Sequence, residues 1–180
     1  MVWKKYFKTK DEKEIVLRNL SRKDSVKNLM NYINSMINER VYFALDKKKT
    51  YKEEKAWKKD SLKDIKKGNA INLILEHKGR IIGDLIAHRQ REKFRNNIVL
   101  GVGMLPRYRN QGIGYFAMKE LIERAKKEMK PKNICLTLFS PNKPAKKLYA
   151  KLGFVHHHTL EKWSKHKGKF IDEEFLILKK

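Results

Sequence analysis

The sequence predicts a mixed α/β domain organised around one central sheet. Apolar residues recur at helical spacing in separate stretches, and short apolar runs of strand type fill the segments between them. No internal repeat and no Pro/Gly/Ser-rich linker divides the chain. The resulting order is strand, two helices, three strands, helix, strand, helix, two strands, which is not the strict alternation of a βαβ fold. A chain of 180 residues is long enough for a single domain over residues 1–180 with a proper core.

The elements follow in order. Residues 14–20, EIVLRNL, read as a short strand. Ser21 and Asp24 then have the spacing of a capping box, with Asp in place of Glu or Gln. Val26, Leu29, Met30, Ile33, Met36 and Ile37 recur as one helix face. Thr50 and Glu53 form a second capping box, opening a helix that runs to residue 67 or breaks near Asp60-Ser61. AINLILEH (70–77) and RIIGDLIAH (80–88) are joined by Lys78-Gly79 as a hairpin. The next strand, NIVLGVGML (97–105), carries Gly101 and Gly103, and glycine inside a strand marks a bulge or a close approach. A helix over 112–129 buries Ile113, Ala117, Met118, Leu121, Ile122, Ala125 and Met129. NICLTLF (133–139) is almost wholly apolar, as in a strand covered on both faces. A helix over 142–152 and strands near 153–159 and 172–178 complete the order.

Composition narrows the class of protein. An apolar content of 41% excludes wholesale disorder, and no apolar run approaches the roughly 18–20 residues of a membrane span. MVWKKYFKTK lacks the features of a secretory signal, and the single Cys135 cannot form an internal disulfide. A soluble cytoplasmic protein is therefore expected. The charge of +24 attracts polyanions, or else reflects the lysine-rich, glutamine-poor bias of heat-adapted chains.

One stretch asks for a function. R-N-Q-G-I-G, residues 109–114, places Gly112 and Gly114 where a helix starts, although glycine weakens a helix by roughly 1 kcal/mol relative to alanine. A helix N-terminus offers unpaired amides and about half a positive charge, which suits a phosphate if no side chain blocks it. Arg107, Arg109 and Gln111 would add donors. Neither the Lys-Ser/Thr of a Walker loop nor the third glycine of a dinucleotide fingerprint is present.

These residues resemble the GNAT superfamily of acetyl-CoA-dependent N-acetyltransferases. The family's phosphate-binding signature, (Q/R)-x-x-G-x-(G/A), is matched by Arg109, Gly112 and Gly114, with Pro106 and Tyr108 just upstream. A second segment, SPNKPAKKLYAKLGF (140–154), resembles the family's N-x-x-A-x-x-x-Y-x-x-x-G-F through Asn142, Ala145, Tyr149, Gly153 and Phe154. The resemblance covers residues 14–178. It implies a mostly antiparallel central sheet of about six to seven strands flanked by about four helices. It also implies acetyl-CoA as acyl-donor co-substrate, with no metal.

Carried over residue by residue, the resemblance assigns the cradle to Arg109, Asn110, Gln111, Gly112, Ile113, Gly114 and Tyr115. The pantetheine arm would lie along Val102, Gly103, Met104 and Leu105, whose amides a bulge at Gly101 and Gly103 would expose and which would polarise the thioester carbonyl. Asn142 reads both as a helix N-cap and as a pantetheine contact. Tyr149 is implied as general acid to the departing thiolate, packing being the alternative. Two acidic positions of the family are filled here by Thr137 and Val99, so the general base stays open among Glu92, His88, Asp84 and ordered water. His156 and His158 would share a strand face, yet no nearby partner completes a metal set.

The acceptor in this family lies between the first helix pair and the last hairpin. Here those segments, LDKKKTYK (45–52) and EKWSKHKGKF (161–170), are basic. A polyamine would be repelled unless acidic side chains line the pocket; a protein N-terminus or lysine fits better, and small amines stay open. The alternatives are a basic module binding nucleic acid or ribosomes, with no membrane partner, and a CoA-binding sensor without turnover.

Overall fold

A computed structural model describes residues 3–39 and 42–179. Residues 1, 2, 40, 41 and 180 of the single domain expected over 1–180 lie outside the described residues. The chain runs β1 (Lys4–Lys8), β2 (Glu14–Asn19), α1 (Val26–Asn38), α2 (Tyr51–Lys66), β3 (Ala70–His77), β4 (Arg80–Arg89), β5 (Asn97–Met104), α3 (Ile113–Arg124), β6 (Asn133–Phe139), α4 (Lys143–Lys151), β7 (Phe154–His166) and β8 (Lys169–Leu178). The strands form one sheet in the order β1-β2-β3-β4-β5-β6-β8-β7. Every neighbouring pair is antiparallel except β5 and β6.

The sheet has 8 strands, one beyond the expected range. The addition is β1, a lysine-rich edge strand without apolar alternation, which also suits an edge that must resist further pairing. Its Phe7 ring stacks on Phe116 of α3 at 5.0 Å. At the other edge β7 and β8 extend well beyond the expected spans into one long hairpin closed by Lys167 and Gly168, both at positive φ.

Local chemistry accounts for the helix ends. The Thr50–Glu53 capping box forms in full, and α2 continues unbroken through Asp60-Ser61. Ser21 and Asp24 are bonded to each other, backbone N–H to carboxylate at 2.7 Å, but α1 starts later on an N-cap from Ser25. The buried stripe of α1 is Leu29, Tyr32 and Met36, so Tyr32 joins the expected face. The expected helix over 112–129 divides into α3 and a closing π-helical turn, Ala125–Met129.

Helices cover both faces of the sheet. Ile71, Leu73 and Leu75 of β3 share a core with Ile113, Ala117 and Leu121 of α3. Ile74, pointing the other way, packs with Leu29 of α1 and Leu62 and Ile65 of α2. Among the described residues no helix is long and apolar enough to cross a membrane.

Two departures shape the functional region. No register shift interrupts the β4–β5 ladder, so the bulge expected at Gly101 and Gly103 is absent. Instead β5 parts from β6: the parallel pairing covers only Asn97 to Val99, while β4 stays paired with β5 as far as Met104. The wedge beyond Val99 is what leaves one edge of β5 open.

Candidate active site

Peptide geometry decides which groups line that open edge. The Leu105 N–H donates to the Ile82 carbonyl at 2.9 Å, so it belongs to the β4 side and is not exposed as expected. Ladder alternation then turns Gly103 toward β4 and leaves the N–H groups of Val102 and Met104 facing the wedge. Of the four residues expected along this edge, two present amides to it.

The turn after β5 adopts an unusual backbone. Asn110 and Gly112 both have positive φ, 59° and 82°. Gly112 is the N-cap of α3 and supplies no capping side chain, so the amides of Ile113, Gly114 and Tyr115 keep no intrahelical partner. Gly112 is needed for its left-handed conformation, and a Cβ there would also meet Phe7 at 3.2 Å. A Cβ on Gly114 would meet Leu148 and Met104 at ordinary distances of 3.5 and 3.6 Å. Gly114 thus marks where the helix N-terminus, α4 and the open edge of β5 converge.

Two of the three side chains expected to reinforce this cradle, Arg109 and Gln111, are occupied elsewhere. Arg109 donates through Nε and Nη2 to the Met104 carbonyl at 2.9 and 2.7 Å, bracing the end of β5. Gln111 donates to the Arg107 carbonyl and accepts from Lys13. Arg107 lies over the Tyr108 ring. Arg107 is exposed and makes no side-chain hydrogen bond with a described residue, so its N–H donors, with the backbone amides of the turn, remain available to an anion approaching α3 end-on.

Asn142 caps α4, its Oδ1 accepting from the Ala145 N–H at 3.3 Å. Tyr149 on α4 is buried edge-on against Phe154, and burial pushes its hydroxyl up to about 12. It is thus protonated, and a donor, throughout the neutral range.

On the α1–α2 face lies a cavity of about 510 Å³. Leu29, Ile33, Phe43, Leu45 and Trp57 contribute apolar walls, and Tyr32, Glu54 and Asp84 contribute polar groups. Asp84 of β4 is paired directly with Gly103 of β5. Its Oδ1 accepts a 2.6 Å hydrogen bond from the Tyr32 hydroxyl. Burial raises the carboxyl to about 6 against the opposing pull of that bond. Glu54 is only 6% exposed and is pushed to about 7 by burial, with Asp84 adding to the shift. Of the base candidates left open, only Asp84 lines this cavity: Glu92 is exposed beyond β4, and His88 lies 3.8 Å from Asp64.

Tyr32 and Glu54 had no motif to announce them. Tyr32 fell beside the helix stripe, and Glu54 stands in a strongly charged helix directly after its capping-box glutamate. The expected pairing of His156 and His158 on one face fails, because a register shift sets them opposite Leu176 and Phe175, consecutive residues of β8. His158 stacks on Phe175 at 5.0 Å and His156 bonds Thr159.

A helix N-terminus with free amides, an open strand edge and a carboxylate-lined cavity stand together around β5, an arrangement that suits transfer from a phosphorylated carrier to an acceptor. The profile of the acetyltransferase (GNAT) family matches residues 36–154, and the chain belongs to that family. The L-amino acid N-acetyltransferase AaaT of Escherichia coli is 29% identical over 99 residues, covering 54% of this chain and 61% of that relative, less than two thirds of its length. A GNAT-family acetyltransferase from Streptococcus pneumoniae superimposes with a TM-score of 0.80 at 26% identity, over 92% of this chain and 99% of that one. The Salmonella typhimurium protein yncA, solved with its cofactor acetyl-CoA, shares the fold at 18% identity, with a TM-score of 0.78 over 92% of this chain and 93% of its own.

Proposed function

We propose that the chain transfers the acetyl group of acetyl-CoA directly to a primary amine within a ternary complex, with Asp84 as general base and Tyr149 as general acid. The observation that carries this reading is the pairing of Asp84 with Gly103, which sets a cavity carboxylate one strand away from the open edge of β5. The amides of Ile113, Gly114 and Tyr115 would hold the diphosphate, and Asn142 would contact the pantetheine arm while capping α4. The Val102 and Met104 amides would accept the charge that develops on the carbonyl oxygen. Asp84 takes the proton of the attacking amine as the new C–N bond forms. The C–S bond breaks, and the Tyr149 hydroxyl donates to the sulfur.

The acid positions empty at Thr137 and Val99 are answered on this reading from the neighbouring strand. The acceptor is a protein N-terminus or lysine if the basic surface selects it, and a small amine if the cavity does. The exposed Trp163 and Phe170 among the lysines of the β7–β8 hairpin suit association with nucleic acid or the ribosome as a separate property.

Release of free thiol from acetyl-CoA over a panel of amines and basic proteins tests this reading. Turnover that falls at least about a hundredfold in Asp84→Asn supports it. Acetyl-CoA binding without turnover on any acceptor would favour a sensor.

A further inference from the structure

Glu54 is more than nine-tenths buried, and its carboxylate makes no hydrogen bond or ion pair with any described residue, although it lines the cavity. A carboxylate in such a place carries an uncompensated desolvation cost. A bound cation removes that cost. The surrounding walls, Leu29, Ile33, Phe43, Leu45 and Trp57, offer nothing to a polar ligand body. The cavity volume is that of a site enclosing a small molecule rather than a flat protein surface.

We propose that Glu54 is the specificity-determining residue for the acceptor, receiving the ammonium of a small monoamine with an apolar or aromatic body and no carboxylate. This rests on the acetyl-transfer reading above and names its acceptor class. The charge on the wall supports a cation. Asp84, Glu53 and Glu54 contribute three negative charges against one positive charge from Lys49, so the wall is net negative, and its apolar remainder suits a body carrying no second charge. Glu53 is held by Thr50 in the capping box, which leaves Glu54 as the carboxylate of α2 free to receive the ammonium. An acceptor carrying its own carboxylate would set that group against Glu54 and Asp84. The raised affinity of Glu54 for a proton, with Asp84, Lys49 and Tyr32 as its ionisable neighbours on the wall, reflects the same unmet demand for positive charge. The ammonium releases one proton to solvent to become the attacking amine, and Asp84, on the strand paired with β5, takes the second as the C–N bond forms.

The test pairs binding with turnover. Phenethylamine is titrated calorimetrically into the CoA-saturated protein, wild type and Glu54→Gln, and acetyl transfer is followed with phenethylamine, L-phenylalanine and L-phenylalanine amide. The proposal predicts that phenethylamine binds the wild type and that Glu54→Gln weakens this at least tenfold. It also predicts that Glu54→Gln raises KM far more than it lowers kcat, and that the amide is a much better acceptor than the free amino acid. Glu54→Gln removes an unpaired buried charge, so its thermal midpoint confirms folding by staying at or above the wild-type value. Absence of phenethylamine binding, equal binding by the variant, or preference for L-phenylalanine over its amide would overturn the proposal. Amine binding of the predicted kind without any acetyl transfer would count against the transferase reading and leave the assignment of Glu54 standing.

Discussion

Asp84 and Gly103 face one another across β4 and β5 so closely that a β-carbon on Gly103 would lie 2.8 Å from the Asp84 Oδ1. The same β-carbon would stand 2.7 Å from the Tyr32 hydroxyl. Gly103 is therefore glycine because the Tyr32–Asp84 pair occupies its side-chain space. Gly103→Ala is predicted to cost about 1–3 kcal/mol in stability, as overpacking does, and to reduce turnover by displacing the carboxylate. Denaturant unfolding and thiol release check the two effects separately.

Asp84→Asn should stabilise the protein while disabling it. The folded-state pKa of Asp84 is raised, so its protonated form is favoured by folding. Stability from this group is full below the ordinary carboxylate value, 3.8, falls as pH rises to about 6, and stays reduced above that. An asparagine keeps an acceptor for the Tyr32 hydroxyl and carries no charge. Its unfolding free energy should exceed that of the wild type at about pH 8 by on the order of 1–3 kcal/mol, read by denaturant unfolding, and the gap should close toward about pH 4.

Tyr149→Phe should separate packing from proton donation. The ring contact with Phe154 survives, and a hydroxyl raised to about 12 by burial alone is lost. Stability and acetyl-CoA affinity should be unchanged while kcat falls by about 10²-fold. Isothermal titration and steady-state kinetics on one preparation supply both readouts.

The two cradle glycines should respond differently to alanine. Gly112, at φ 82° with Phe7 beneath it, should lose about 1–2 kcal/mol of stability. Gly114, with only ordinary contacts around a new Cβ, should keep acetyl-CoA affinity and gain slightly in helix stability. Thermal unfolding with and without acetyl-CoA distinguishes them.

The parts of this structure that were legible in the sequence are those encoded locally. Thr50 and Glu53 are three residues apart and satisfy each other, and Lys78-Gly79 closes its hairpin with both residues at positive φ. Gly112 likewise reveals its turn within a few residues. The Tyr32–Asp84 bond joins residues 52 apart, and its partners meet only because α1 packs on β4. The brace from Arg109 to Met104 spans only five residues and was hidden by the motif itself, in which an arginine reads as a phosphate donor although it serves the strand end. Strand β1 escaped because lysines on a solvated edge leave no apolar period to read. Glu54 escaped because a glutamate on a charged helix is ordinarily solvated, and only the tertiary packing of α1, α2 and the 43–45 segment encloses it.

The most direct measurement is kcat/KM for thiol release from acetyl-CoA as a function of pH, in the wild type and in Asp84→Asn. Asp84 as base predicts that wild-type activity falls as pH drops through about 6, and that Asp84→Asn is slower by about 10²-fold or more above that pH, with the gap narrowing below it. Wild-type rates in Asp84→Asn, with the acidic limb intact, would contradict the account.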